Sequence, residues 1–164
     1  MTDDSIEARL GELLRSQGLK LATAESCTGG LIGNRITNVP GSSDYFLGGV
    51  VSYAYEAKVK LLGVSWDTLR KYGAVSRETV LEMAHGARAV LDADIGLAVS
   101  GIAGPGGGLP HKPVGTTWIG LCTPGFEQAW VYIFPGGRLQ VKEQAAEQAL
   151  SQLVETLLET GMSL

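Results

Sequence analysis

The 164-residue chain has little of what most specialised chemistry requires. It has two cysteines, Cys27 and Cys122, and two histidines, His85 and His111. The cysteines stand far apart in no metal-ligand spacing, so no metal is expected and a reducing compartment is the simpler reading. His85 falls in a helical stretch, as a surface or packing residue, and His111 in a glycine-rich loop. A Ser-His-Asp triad therefore lacks a persuasive base. No H-E-x-x-H occurs, and no G-x-x-x-x-G-K-[ST], which excludes a P-loop ATPase. No serine sits in G-x-S-x-G, which argues against an α/β-hydrolase elbow. There is no Lys/Arg run, and the net charge of −4 gives no footprint for nucleic acid. No apolar run reaches the length of a membrane span. The acidic start (Asp3, Asp4, Glu7) does not read as a signal peptide, so a cytoplasmic location is expected. No repeat, low-complexity tail or long linker is visible, and the length suits one domain over residues 1–164.

What the chain does have is glycine at the ends of regularly spaced apolar segments. Asp3 or Asp4 is read as the cap of a first helix, with Ile6, Leu10, Leu13 and Leu14 on one face and Gly18 as its stop. Lys20 to Ala24 reads as a strand and Thr28 to Thr37 as a helix. Turn residues over 39–44 lead to a strand from Tyr45 to Tyr53, in which Gly48 and Gly49 mark a bulge or a close backbone approach. Helices follow at Glu56 to Leu62, Trp66 to Tyr72 and Arg77 to Asp92, the last capped by Ser76. Ile95 to Ser100 is a buried strand and Gly101 to Pro113 a loop. Thr116 to Thr123 and Gln128 to Phe134 are strands joined at Pro124-Gly125, a linker short enough to make them antiparallel. The last helix runs from Leu139 to Thr160, with Ala146, Leu150, Leu153, Leu157 and Leu158 as its apolar stripe. Alternating helices and strands predict the α/β class, as a three-layer α/β/α sandwich with a mixed sheet.

The stretch from Leu21 to Gly30 is the centre of this pattern: strand, tight turn, helix start. The first amides of a helix lack intrahelical partners and carry the positive end of its dipole. A developing oxyanion or a phosphate is stabilised there. Ser26 stands at the mouth of the turn, where a nucleophile belongs. On these residues alone, a simple helix cap at Ser26 or Thr28 is the favoured reading. Lys58 is the candidate base. A lysine on a helix is by itself a solvated residue, but a desolvated one loses its proton near neutral pH and activates a serine. No S-x-x-K spacing links the two, so they would have to meet through the fold. The glycine loop follows a buried strand, where α/β sheets bind ligands, and reads either as a ligand loop or as a flexible turn.

Four blocks carry a resemblance. Ala24-Glu25-Ser26-Cys27-Thr28-Gly29-Gly30 is the first. Tyr53-Ala54-Tyr55-Glu56-Ala57-Lys58, followed by Leu61-Leu62-Gly63-Val64, is the second. Ser100-Gly101-Ile102-Ala103-Gly104-Pro105 with Gly107 and Gly108 is the third, and Lys112-Pro113-Val114-Gly115-Thr116 the fourth. Their types and order resemble the C-terminal domain of the CinA (competence/damage-inducible) family. The resemblance implies a nicotinamide-nucleotide amidase of pyridine nucleotide salvage, converting nicotinamide mononucleotide to nicotinate mononucleotide and ammonia. It implies Ser26 as nucleophile, Lys58 as base, and Tyr53 or Tyr55 as assistant; family members commonly carry Asn where Tyr55 stands, so which tyrosine acts stays open. The amides of Cys27, Thr28, Gly29 and Gly30 are read as oxyanion donors. Ser100, Gly101, Ala103 and Gly104 would contact the nucleotide. The family's two arginines four apart correspond to Arg138 and Lys142, where lysine keeps the charge and loses the bidentate fork. No cofactor and no metal are implied, and the pyridine nucleotide is the only partner expected, with no nucleic acid and no membrane. A homo-oligomer is left open. Longer members carry an N-terminal domain resembling molybdopterin-binding proteins, and this chain reads as the stand-alone amidase domain. Two rivals remain: a nucleotide-binding regulator without catalysis, and a cysteine enzyme using Cys27, since a helix start lowers a thiol's pKa.

Overall fold

The computed structural model describes residues 3–161. In chain order the elements are α1 (Ile6–Gln17), β1 (Leu21–Glu25), α2 (Leu31–Thr37), a 3-10 turn (Ser42–Asp44), β2 (Phe46–Val51), α3 (Tyr55–Leu62), α4 (Trp66–Tyr72), α5 (Arg77–Val90), β3 (Ile95–Gly101), β4 (Thr116–Thr123), β5 (Phe126–Ile133) and α6 (Arg138–Thr160). The five strands form one mixed sheet in the order β2-β1-β3-β4-β5. β1 runs parallel to both β2 and β3, and β4 pairs antiparallel with β3 and β5. The three-layer sandwich expected from the alternation is the one observed.

The two faces of the sheet differ in side-chain size, and that difference sets the two helical layers. One face presents Leu21, Ile95, Leu97, Val99, Ile119 and Leu121, buried with Leu10 and Leu14 of α1, Ile32 and Ile36 of α2, and the inner stripe of α6. The other presents Ala22, Ala24, Ala98 and Cys122 to Leu62 of α3, Leu69 of α4 and Val80, Met83, Ala84 and Ala87 of α5. Alternation of large and small along each strand produces this, because successive side chains point to opposite faces. On the small face α5 lies almost on the sheet backbone. A Cβ on Gly96 would overlap the Ala84 carbonyl oxygen, and one on Gly120 would lie 2.8 Å from the Val80 carbonyl oxygen. The same closeness joins α5 to α3, where a Cβ on Gly86 would overlap the Leu62 carbonyl.

Several boundaries differ from the sequence reading, each for a local reason. The cap of α1 is Ser5, whose Oγ accepts the Ala8 amide at 3.2 Å; Asp3 accepts the Ser5 amide instead. Strand β1 runs one residue further than expected, through Glu25. Helix α2 starts at Leu31, not Thr28, because Gly29 (φ 61°) and Gly30 (φ 105°) are left-handed and keep the preceding turn out of the helix. The two glycines of β2 serve both expected purposes. Leu21 pairs with Phe46 and Ala22 with Gly48, so Leu47 is a bulge, and Gly49 leaves room for the Thr23 hydroxyl. Leu158 does not belong to the α6 stripe: it is exposed, and Val141, Ala145, Ala149 and Val154 complete the buried face. His85 is a surface residue whose Nε2 lies 2.6 Å from Glu127 Oε2.

The backbone contacts of α5 generate a stability prediction. Gly96→Ala and Gly86→Ala each force a Cβ into a carbonyl and are expected to cost about 3 kcal/mol, the upper range for overpacking. Gly106→Ala, with nothing within 4 Å of its Cβ, is expected to leave the unfolding midpoint unchanged. Urea denaturation of the three variants measures the difference.

Candidate active site

The carboxyl ends of the adjacent parallel strands β2, β1 and β3 converge on one hollow of about 180 Å³. β1 delivers Ser26 and Cys27, and β3 delivers Ser100, Gly101 and Ala103. The segment between β2 and α3 brings Tyr53, α3 brings Lys58, the α4–α5 connection brings Ala74 and Val75, and Arg138 opens α6. The carboxyl edge of a parallel sheet is where loops gather without interrupting strand pairing. A larger hollow of about 600 Å³ lies between α2 and α6, lined by Leu31, Arg35, Phe134, Glu143, Gln144, Glu147 and Gln148. It holds no nucleophile beside a base, so the chemistry is sought in the smaller one.

Ser26 and Lys58, 32 residues apart in sequence, meet in that hollow: Lys58 Nζ lies 2.8 Å from Ser26 Oγ. Ser26 is 7% exposed and Lys58 0%. Side chains of a helix lean toward its N-terminus, so an early lysine of α3 reaches back over the segment that precedes the helix. There Nζ also meets the carbonyl oxygens of Ser52 (2.7 Å) and Tyr53 (3.1 Å). These two oxygens only accept, and a neutral amine has two N–H groups and one lone pair. When both N–H groups are donated to the carbonyls, the lone pair is left for the Ser26 hydroxyl. Burial is the dominant perturbation on the amine and lowers its pKa from the ordinary 10.5 to about 8; the neighbouring Cys27 thiol acts weakly the other way.

The turn after β1 differs from the open helix start read in the sequence. The Glu25 carboxylate, 2% exposed, accepts the Ile32 amide at 2.9 Å, the Gly33 amide at 3.0 Å and the Thr28 hydroxyl at 2.6 Å. The Gly29 amide donates to the Ser26 carbonyl at 3.1 Å. Among the described residues this leaves the amides of Cys27, Thr28 and Gly30 without an acceptor, so Gly29 drops out of the expected donor set. Ser26 and Thr28 are not simple helix caps, since Gly30 occupies that position. Cys27 lines the hollow, but burial pushes its thiol up to about 11, against the depressed value a cysteine nucleophile needs.

The remaining residues singled out in the sequence divide. Tyr53 touches Lys58 through its carbonyl, while its ring is 63% exposed and its hydroxyl accepts from Arg138 Nη2 at 3.1 Å. Arg138 Nη1 donates to the Gly104 carbonyl at 2.8 Å, so one guanidinium spans the mouth from the glycine loop to Tyr53. Tyr55 and Gly104 do not line the hollow. Thr28, Gly29, Gly30 and Lys142 line a separate groove of about 430 Å³ beside it, with Leu31, Asn34, Leu139 and Glu143. Gly106 to Gly108 are exposed and line neither. No group of three or more His, Cys, Asp or Glu side chains able to hold a metal ion occurs among the described residues. Likewise, no described helix is long and apolar enough to cross a membrane. Sequence reasoning missed Glu25, the Ser52 carbonyl and the Ala74–Val75 wall. Only Glu25 had a signal, as a carboxylate ending a strand with no other charged residue.

The depressed pKa of Lys58 has a measurable consequence for stability. Below pH 8 both the folded and unfolded chains hold the proton, and the folded state bears the cost of the buried cation. Between about pH 8 and 10.5 the unfolded chain binds more protons, so the Lys58 contribution to stability rises with pH. The rise amounts to roughly 3 kcal/mol, at about 1.4 kcal/mol for each tenfold change in a proton equilibrium. The buried thiols act in the opposite direction, so the readout is the difference in unfolding free energy between wild type and Lys58→Met across this range. That difference is expected to grow in favour of wild type as pH rises.

A family model for the CinA C-terminal domain matches residues 3–157. A CinA-like protein of Chloroherpeton thalassium is 51% identical over 160 residues, which cover 95% of this chain and 38% of that protein. The crystal structure of a CinA superfamily protein from Klebsiella pneumoniae 700603 superposes with a TM-score of 0.91 at 35% identity, over 94% of this chain and 96% of that one. The competence/damage inducible protein CihA from Agrobacterium tumefaciens superposes with a TM-score of 0.87 at 38% identity, over 94% and 97%. The chain spans about two fifths of the length of the curated relatives it matches. It belongs to the CinA C-terminal domain family.

Proposed function

We propose, with that membership as premise, that the protein is an amidase that hydrolyses the carboxamide of nicotinamide mononucleotide, releasing ammonia and nicotinate mononucleotide. The observation that carries the reading is the buried 2.8 Å contact between Lys58 Nζ and Ser26 Oγ, with the other two Nζ contacts made to carbonyls. In this reading neutral Lys58 takes the hydroxyl proton as Ser26 Oγ attacks the amide carbon. The tetrahedral oxyanion is held by amides of the Cys27–Thr28 turn. Lys58 returns the proton to the leaving nitrogen, ammonia departs, and a water deprotonated by the same amine cleaves the acyl-enzyme. Ala74 and Val75 give the pyridine ring an apolar wall, and Arg138 faces the phosphate. Tyr53 orients that arginine or assists proton transfer, and Lys142 stands further out along the neighbouring groove. The raised thiol pKa of Cys27 supports the serine over the cysteine reading. In this reading the enzyme works on a free nucleotide in the cytoplasm, in pyridine nucleotide salvage, without a cofactor.

Ammonia release from a panel of nicotinamide compounds tests the reaction. Ser26→Ala and Lys58→Ala are each expected to lower kcat by about a thousandfold or more, with little further loss in the double variant, because groups that act as a unit are not additive. Wild-type kcat is expected to rise with pH and level off above about 8, as Lys58 loses its proton. Lys58→Arg should be nearly as inactive as Lys58→Ala, since guanidinium stays charged. Wild-type turnover in Lys58→Arg would show that Lys58 supplies only charge. Absence of ammonia from every compound would favour the nucleotide-binding regulator instead.

Two further outcomes separate the ligand contacts from the chemistry. Cys27→Ala is expected to retain most of the turnover, because the thiol is buried and protonated. Nicotinamide riboside should have a much lower kcat/KM than the mononucleotide, with the gap largely closed in Arg138→Ala. Equal kcat/KM for the two compounds in wild type would remove the phosphate role of Arg138.

A further inference from the structure

We propose that Glu25 is a positioning residue, whose carboxylate clamps the turn carrying Ser26 in the conformation that sets Ser26 Oγ against Lys58 Nζ. The proposal rests on the reading of Ser26 and Lys58 as nucleophile and base. A carboxylate 2% exposed with no cationic partner is costly to bury, and Glu25 appears in none of the ion pairs among the described residues. Three donors offset that cost, and they bracket the turn. Oε1 accepts from Thr28 Oγ1 within the turn and from Ile32 N beyond it, and Oε2 accepts from Gly33 N. Charge-assisted hydrogen bonds of this kind are about twice as strong as neutral ones.

The turn needs an external restraint. Gly29 and Gly30 both stand at positive φ, and glycine gives up more conformational freedom on ordering than any other residue. The Ser26 amide is held by the Val99 carbonyl at 3.0 Å on one side, and the clamp fixes the chain that leaves Ser26 on the other. The main chain of Glu25 completes the arrangement from the other side. Its carbonyl oxygen accepts the Ser52 amide at 2.8 Å, and the Ser52 carbonyl is one of the two that hold Lys58 Nζ. One residue therefore ties the serine turn with its side chain and the lysine cradle with its backbone. A carboxamide cannot replace the carboxylate, because its NH2 group would face an N–H. Aspartate is one methylene shorter.

The test reads the pair directly, without the nucleotide. Methanesulfonyl fluoride sulfonylates an activated serine with loss of fluoride. Intact-mass spectrometry gives the rate at Ser26 and the number of sites that react. In Glu25→Gln the labelling rate constant is expected to fall roughly ten- to a hundredfold, as for a reacting group displaced by about 1 Å, while one site per chain still reacts. In the same variant, kcat per reactive site for nicotinamide mononucleotide should fall by a similar factor, with KM nearly unchanged. A wild-type labelling rate at full stoichiometry would leave Glu25 a stability role only and overturn the proposal. Should Glu25→Gln not fold, the isosteric Thr28→Val removes one donor and is expected to slow labelling by about fivefold, the effect of one hydrogen bond of roughly 1 kcal/mol. An unchanged rate there also overturns the proposal. If wild type labels at Ser26 but releases no ammonia from the nucleotide, the substrate reading fails and the clamp is still decided by the labelling rates. A folded wild type whose Ser26 resists the reagent sinks the clamp with the pair.

Discussion

A lysine nitrogen with no access to water is the constraint on which this site depends. Lys58 Nζ is closed in by one hydroxyl and two main-chain carbonyls, and among the described residues no carboxylate pairs with it. An ion-paired lysine would stay protonated and could not act as a base. Carbonyls satisfy the N–H groups without fixing the charge, so burial dominates and brings the proton equilibrium close to neutral pH. The lowered proton affinity and the geometry toward Ser26 have one origin, the position of α3 above the carboxyl end of β1.

Much of the fold was legible in the sequence, and the reasons are local. The short strand read from Lys20 to Ala24, the spacing of Leu10 and Leu14, and the stop at Gly18 depend on neighbours in the chain. The bulge beside Gly48 and the antiparallel pair joined at Pro124-Gly125 were legible for the same reason. Less legible was whatever depends on distant partners. Thr28 has the look of a helix residue, and only the left-handed glycines after it show that it lies in a turn. Leu158 fits the helical period, but it lies at the edge of the stripe and is exposed while Leu157 beside it is buried. The Ser26–Lys58 pair was named through family resemblance, because no spacing in the chain encodes a contact across 32 residues. Glu25 was passed over because a carboxylate at a strand end gives no hint of the amides that it accepts seven and eight residues later.

The expected ligand contacts fall into two neighbouring hollows. Those around Ser26 share one small space, while Thr28 to Gly30 and Lys142 border another. Arg138 and Tyr53 stand at the mouth of the first, so a charged group entering there meets a guanidinium already held by a phenol and a carbonyl. That fixed orientation lowers the ordering cost of recognition, since the fork is in place before the ligand arrives.

The small-residue face of the sheet has an implication for how the protein tolerates change. On the opposite face, aliphatic side chains separate helix from strand, and a substitution there can be absorbed by rotamers and slight repacking. Between α5, β3, β4 and α3 the contacts at Gly96, Gly120 and Gly86 are backbone against backbone, with no adjustable side chain between them. α5 is thus a fixed datum from which the height of α3, and with it the lysine amine, is measured. Displacement at Gly86 would press on the Leu62 carbonyl and so on α3, the helix that carries Lys58. Sequence drift therefore has more latitude among the aliphatic side chains of one half of the core, while in the other half a methyl group at these glycines meets main chain.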